Sequence, residues 1–446
     1  MRRLPAVLAI LAGALLLLWP ALLNHYPILF SDTGAFLAQS TVPLMIWDKP
    51  WIYGPLLHLF HWEQTLWLPA IAQVVVVSHL LWLVQRELRG AASWTAHLLL
   101  TGGLAALTAL PWVASLLMPD FFSGLLPLGF FLLGYGRLSR GEWAYVTALM
   151  ALGIPAHLSN IPTALALVVM VGLLRLAWRP LARAAAPLLI ALGLLAGSNW
   201  IGHGQASLSP YGSTFLLARM IGDGPAARTI AARCPDAGWY LCAWAGRLPE
   251  DSDVFLWERF SPMNRDAAGQ DIFLGGVRLA PEARAIIAET LSREPWAVAR
   301  AAAGNALRQV FLVEIGDTLS RHALGDSVRP RLVEFFPAAE VARHDGSLQF
   351  ADRLPGVAAA FLWPQPVVLM LGLAGLLWAL RRPGGRLRLG FVLLVLVGVM
   401  GNAVATGALS KPHHRYQARV AWLLPFGAAL LLLPGVPPRH PGRQHG

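Results

Sequence analysis

The chain has 446 residues, 56% of them hydrophobic and only 13% charged, with a mean hydropathy of +0.55. Soluble domains carry about 25% charged residues, so this balance excludes an ordinary soluble protein and points to a polytopic membrane protein. The net charge of +11 is spread as short arginine clusters between apolar runs. A nucleic-acid binder would gather it on polar segments, so no nucleic-acid partner is expected.

A helix needs about 20 apolar residues to cross a bilayer core. The sequence predicts about ten such spans, near 4–23, 66–85, 93–112, 119–136, 143–158, 161–177, 183–200, 357–380, 388–408 and 418–434. The pair over 143–177 is interrupted by "GIPAHLSNIP". The first span has a basic start but no evident small-x-small cleavage site, and reads as an uncleaved anchor. Basic short loops stay in the cytoplasm. With ten spans, the clusters at Arg2 and Arg3, Arg86 and Arg89, Arg137 and Arg140, Arg175 to Arg183, Arg381 to Arg388, and Arg439 and Arg443 all fall inside. Both termini are then cytoplasmic. The location expected is a bacterial inner (plasma) membrane, crossed many times.

The 24–65 loop after the first span faces outward and holds Asp32 in "FSDTGAFL". A carboxylate half-buried at the membrane surface can have its pKa raised toward working pH and act as a general base. The competing reading is an N-cap of the helix that Asp32 heads. Further along, "DKPWIYGPLLHLF" carries Lys49, one of only two lysines. Its ammonium suits a phosphate oxygen, or an ion pair with Asp48. The run after it is amphipathic and suits a helix lying in the interface.

Asp120 in "MPDFFSGLL" opens the fourth span from outside. It reads either as a second acid or as a helix cap. His157 and Asn160 in "HLSN" sit at another outer span end, as substrate contacts or as satisfied core residues.

Residues 201–356 form an outward segment of about 155 residues, long enough for a domain and mainly helical in pattern. Cys234 and Cys242, the only cysteines, read as a disulfide in an oxidising outer compartment. Residues 357–446 then supply about three more spans. Between the last two, "SKPHHRYQAR" gathers Lys411, His413, His414, Arg415, Tyr416 and Arg419. Outer loops are normally poor in such charge, so an anionic ligand is expected there, with lipid headgroups as the alternative. No metal-binding or nucleotide-binding motif occurs in a suitable context.

The order of these features resembles the GT-C superfamily of membrane glycosyltransferases, in particular its aminoarabinose- and mannosyl-transferase members. There, a cytoplasmic N-terminus leads through one span into an outer loop with a catalytic acid and two surface helices, followed by a lysine-proline motif. "FSDTGAFL" stands at the acidic motif and "DKPWIYGPL" at the lysine motif. "MPDFFSGLL" resembles the acidic start of a later span, and "HHRYQARVAWLLP" is similar to a late Arg-Tyr segment. Thr33 stands where the family often has a second acid, and Trp51 where it has a second proline.

The resemblance implies an all-α polytopic fold. Residues 1–200 would form a GT-C-like module of about seven spans, 201–356 a periplasmic domain, and 357–446 a C-terminal module. It implies inverting transfer of a sugar from a polyprenyl-phosphate donor to an extracytoplasmic acceptor, whether envelope glycan, lipid or protein. Asp32 would be the base and Asp120 the second catalytic acid. Lys49, Lys411, His414, Arg415 and Tyr416 would bind the donor phosphate, and His157 and Asn160 the sugar or acceptor. No cofactor is implied; metal dependence, the sugar and the oligomeric state stay open. Two rival readings are a lipid or glycan transporter (a flippase), and a non-catalytic envelope assembly factor. Separation of Asp32, Lys49 and Arg415 by tens of ångströms would favour either rival.

Overall fold

Residues 3–42, 44–382 and 385–432 are described by a computed structural model of the chain. They are all helical, with only two isolated β-bridges and no strand among the described residues. Arg2, Arg439 and Arg443, on which the expected orientation partly rests, lie outside the described residues.

The first helices are α1 (Arg3–Leu23), α2 (Ser31–Thr41), α3 (Tyr53–His61), α4 (Trp67–Arg89), α5 (Trp94–Leu107), α6 (Leu110–Ser115) and α7 (Asp120–Tyr135). They are followed by α8 (Arg140–Ala156), α9 (Asn160–Arg175) and α10 (Trp178–His203). Helix α7 is buried on nearly every face and packs against α4, α8, α9 and α10. It is therefore the axis of the bundle, and its N-terminal residue is Asp120. A helix apolar all round is buried in this way.

A second, smaller core is built by α11 (Gly212–Gly222), α12 (Pro225–Arg233), α13 (Ser252–Trp257) and α14 (Gly275–Arg293) around Leu217, Ile221, Ile230, Phe255 and Ile286. Cys234 and Cys242 are bonded within it, as expected. Helix α15 (Pro295–Phe311) then leaves this unit to pack along a later helix. From Ile315 onward, α16 (Leu324–Ser327), α17 (Arg329–Phe335) and α18 (Ala338–Asp345) bury Leu324, Val328 and Leu332 in the main core instead. Residues 201–356 thus divide between two cores.

The chain closes with α19 (Leu354–Leu362), α20 (Gln365–Arg381), α21 (Arg386–Leu409), α22 (Arg415–Ala421) and α23 (Leu423–Leu432). Among the described residues, four helices are long and apolar enough to cross a membrane: Leu4–Leu23, Trp67–Arg89, Trp178–His203 and Arg386–Leu409. The pair α19 and α20 makes a fifth if its 41° bend lies within one span. That bend falls at Trp363 and Pro364, where the proline ring disfavours helix in the residue before it. Four other expected spans are shorter: α5 has 14 residues, α7 and α9 have 16 each, and α8 has 17. The 93–112 run is broken between Leu107 and Leu110, and the last run is broken at Trp422.

Candidate functional site

The segment from Asn24 to Phe30 carries α2 and is fixed from the far end of the chain. Gln349 Nε2 donates to Leu29 O (2.6 Å), and Leu29 N donates to Gln349 Oε1 (3.0 Å). Gln349 N donates to Asn24 Oδ1 (2.7 Å), and Tyr26 Oη donates to Glu340 Oε1 (2.9 Å). The first turn of α2 is closed by Thr33, whose Oγ1 accepts from Phe30 N (2.9 Å) and donates to Leu117 O (3.0 Å). Asp32 is therefore not the N-cap that one reading of the sequence made it. Its backbone is inside the helix, and its side chain is left for other contacts.

Those contacts are cationic. Lys49 Nζ lies 3.2 Å from Asp32 Oδ1 and 2.6 Å from Asp48 Oδ2. Gln39 Nε2 sits 3.4 Å from both Lys49 O and Pro50 O, and so positions the lysine backbone. Arg415 Nη2 is 3.8 Å from Asp32 Oδ2. Its guanidinium also lies over the Phe30 ring at 4.4 Å and the Tyr416 ring at 5.0 Å. Lys49 and Arg415 come from separate parts of the sequence, and each lies within 4 Å of Asp32.

The sequence reading expected burial to raise the pKa of Asp32, and the structure corrects this. Burial does push it up, but Lys49 and then Arg415 outweigh burial and hold the carboxyl below its ordinary value. Burial likewise pulls the Lys49 ammonium down, while Asp32 and Asp48 hold it above the usual lysine range.

Asp120 joins this group through Arg419, a member of the cationic cluster before the last span. Arg419 Nη1 donates to Asp120 Oδ1 (3.0 Å), its Nη2 to Ser159 Oγ (2.8 Å) and Asn402 Oδ1 (2.9 Å), and both ionic side chains are buried. Asn402 Nδ2 donates in turn to Tyr416 O (2.6 Å), which ties α22 to α21. Two buried atoms at this place, Asp120 Oδ2 and Arg415 Nη1, have no hydrogen-bond partner among the described residues. Buried polar atoms are normally satisfied, so these two unpaired atoms are unusual.

His157 belongs to the same group. Its Nδ1 accepts from Ser159 N (3.3 Å), and its ring meets Tyr416 edge-on at 6.0 Å. Asn160 is turned to a structural task, donating to Gly153 O (2.9 Å) and accepting from Ser123 Oγ (2.8 Å).

Lys411 and His414 are engaged elsewhere. Lys411 Nζ is 2.6 Å from Asp251 Oδ2 and 3.0 Å from Asp253 Oδ2, while His413 Nε2 is 3.1 Å from Asp253 Oδ2. His414 Nδ1 accepts from Glu314 N (3.2 Å). These contacts tie the loop before α22 to the smaller unit. Sequence reasoning placed Arg419 in the anion-binding cluster and not against Asp120, and it missed Ser159 and Asn402. An amide within an apolar helix was the one available signal for Asn402.

No group of three or more His, Cys, Asp and Glu side chains suited to a metal occurs among the described residues. No protein family, curated protein or solved structure matches the chain.

Proposed function

We propose that the chain is an integral-membrane glycosyltransferase of GT-C type, moving a sugar from a polyprenyl-phosphate donor to an extracytoplasmic acceptor. The observation that carries this reading is the meeting of one carboxylate, Asp32, with two cations, Lys49 and Arg415. Glycosyl transfer from a phosphate needs those charges at one point. An acceptor hydroxyl must lose a proton, and the departing phosphate must be held.

In this mechanism the donor phosphate draws Lys49 and Arg415 toward itself. Asp32 then loses the two charges that depress its pKa, and becomes more basic only when the donor is bound. The acceptor oxygen attacks the anomeric carbon, its proton passes to Asp32, and the carbon–phosphate-oxygen bond breaks with its electron pair on the phosphate. Charge-assisted bonds from Lys49 and Arg415 stabilise that leaving group. One displacement inverts the anomeric centre. Asp120, held by Arg419, keeps a free oxygen for a sugar or acceptor hydroxyl.

The finer topology belongs to the same proposal: about ten spans, cytoplasmic termini, and residues 201–356 on the periplasmic side of a bacterial inner membrane. The shorter helices α5, α7, α8 and α9 then cross with help from their flanking segments. The transporter reading draws on one observation, the buried Asp120–Arg419 pair, since transporters keep paired charges inside the bundle.

Binding of an unglycosylated polyprenyl phosphate to the full chain in nanodiscs tests the assignment. Lys49→Met and Arg415→Met should each weaken it at least tenfold. Unchanged binding in both variants contradicts the donor site.

A further inference from the structure

Helices α1 and α4 end together on one side of the bundle. Ser78 Oγ donates to Ile10 O (2.8 Å), and these two residues lie about equally far from Leu23 and Trp67. The two candidate spans therefore run side by side, with Leu23 and Trp67 at the same end. Helix α18 is fastened at that end. Glu340 Oε1 accepts from Leu66 N (2.8 Å), Thr65 Oγ1 (3.1 Å) and Tyr26 Oη (2.9 Å). The α17–α18 pair thus sits at the level where two spans would leave the bilayer core.

The outward face of this pair is apolar. Helix α18 turns Glu340 and His344 into the protein and buries them. Its Ala338, Val341 and Ala342 instead line an open pocket of about 340 Å³, together with Val333 and Phe336. A helix facing water has its polar side chains on the outer face, and here they are on the inner one. The pocket falls in the size range of ligand sites, about 300–1,000 Å³. Asp345 is the polar member of its lining, and Arg329 Nη2 already neutralises it at 2.9 Å. A polar ligand would lose its water there and gain little in return. The apolar surface runs on into α3, where the His61 ring meets Phe336 at 5.2 Å and the neighbouring Leu59, Phe60 and Trp62 are exposed. Leu68 and Ile71 continue it onto the first turns of α4. Tryptophan is favoured where a membrane meets water.

We propose that the pocket between α17 and α18 is a lipid site that takes an acyl chain of a bilayer phospholipid. The α17–α18 pair then lies in the membrane interface beside α3, although it belongs to the long polar segment 201–356. The occupant is a bilayer lipid for two reasons. Val341 and Ala342 directly follow Glu340, which is bonded to the start of a candidate span. The pocket is also continuous with the exposed apolar side chains of α3 and α4. The inference stands on the candidate spans and not on the transferase reading.

The full chain is placed in nanodiscs of phosphatidylethanolamine and phosphatidylglycerol that include a phosphatidylglycerol with a diazirine in one acyl chain. After irradiation, labelled peptides are mapped by mass spectrometry. Residues 333–342 should be labelled, and α14 of the smaller unit should not. Ala342→Trp fills the pocket from its exposed wall. Lost contact with about two methylene groups is worth about tenfold in affinity, so labelling of 333–342 should fall by about that factor. Val333→Asp, an independent variant, sets a carboxylate in the apolar mouth and should do the same. Both side chains are exposed, so neither change disturbs the core. No labelling of 333–342, labelling of α14 to the same extent, or wild-type labelling in either variant overturns the site. Labelling that polyprenyl phosphate displaces and an equal amount of unlabelled phospholipid does not overturns the occupant. A dimer that Ala342→Trp splits would show a second copy on this face, and overturns it too. Asp32→Asn should leave the labelling unchanged, so failure of the lipid site and failure of the transferase reading are told apart.

Discussion

Arg419 Nη1 lies 3.0 Å from Asp120 Oδ1, across a separation of 299 residues, with both side chains buried at the N-terminal end of α7. The carboxylate sits where the helix dipole favours negative charge. The guanidinium is satisfied further by Ser159 and Asn402. This pair fixes the height of α22 against the bundle axis, and so places Arg415 opposite Asp32.

Removing one partner of such a pair leaves an uncompensated buried charge, at a cost of about 3–5 kcal/mol. Arg419→Met should therefore lower the thermal stability of the detergent-solubilised protein sharply. Arg419→Met combined with Asp120→Leu should restore part of the loss, because neither charge is then left alone. A double variant no more stable than the single one argues against the pair as the organising contact.

The loop before α22 is held to the smaller unit by Lys411, His413, Asp251 and Asp253. Burial pushes the Asp253 carboxyl up, but hydrogen bonds from His413 and Lys411 outweigh it and hold the group at about 2. A depressed carboxylate pKa stabilises the contact above its ordinary value of 3.8 and releases it as pH falls toward about 2. Pepsin cleavage around Phe255–Leu256 should therefore rise across that interval. Lys411→Met should be cleaved already at pH 4. Equal cleavage of both proteins at pH 4 would count against the latch.

Cys234 and Cys242 close a small loop around Trp239, with a sequence separation of 8. Such a loop stabilises the unit by roughly 2–3 kcal/mol in the chain-entropy account. Mass spectrometry of unreduced protein should recover the two peptides linked. Free thiols in protein taken from an oxidising outer compartment contradict both the bond and the outward placement of the unit.

Much of this arrangement was legible in the sequence, and the limits have physical causes. Apolar runs and sparse charge gave an all-helical membrane protein. Asp32, Lys49 and Arg415 stood out because charged groups beside apolar runs are costly unless they have a task. Lys411 misled, since its partners Asp251 and Asp253 lie 160 and 158 positions upstream and no local pattern links them. The pinning of residues 24–30 by Glu340 and Gln349 was invisible for the same reason. The depressed pKa of Asp32 comes from Lys49 and then Arg415, brought beside it only by the fold, so sequence reasoning saw burial and missed the compensating charges. Helix breaks were not legible at Thr108 and Trp422, because apolar composition continues across both.

The central claim is that Asp32 accepts the acceptor's proton. Asp32→Asn keeps the shape of the side chain and removes its basicity. Because Thr33, and not Asp32, closes the first turn of α2, the substitution leaves that helix start intact. Loss of a general base costs about a hundred- to ten-thousand-fold in rate. The decisive measurement is the envelope-glycan content of a strain carrying chromosomal Asp32→Asn, at wild-type protein level in the membrane. The account predicts loss of one glycan modification. The same modification at wild-type level would contradict it.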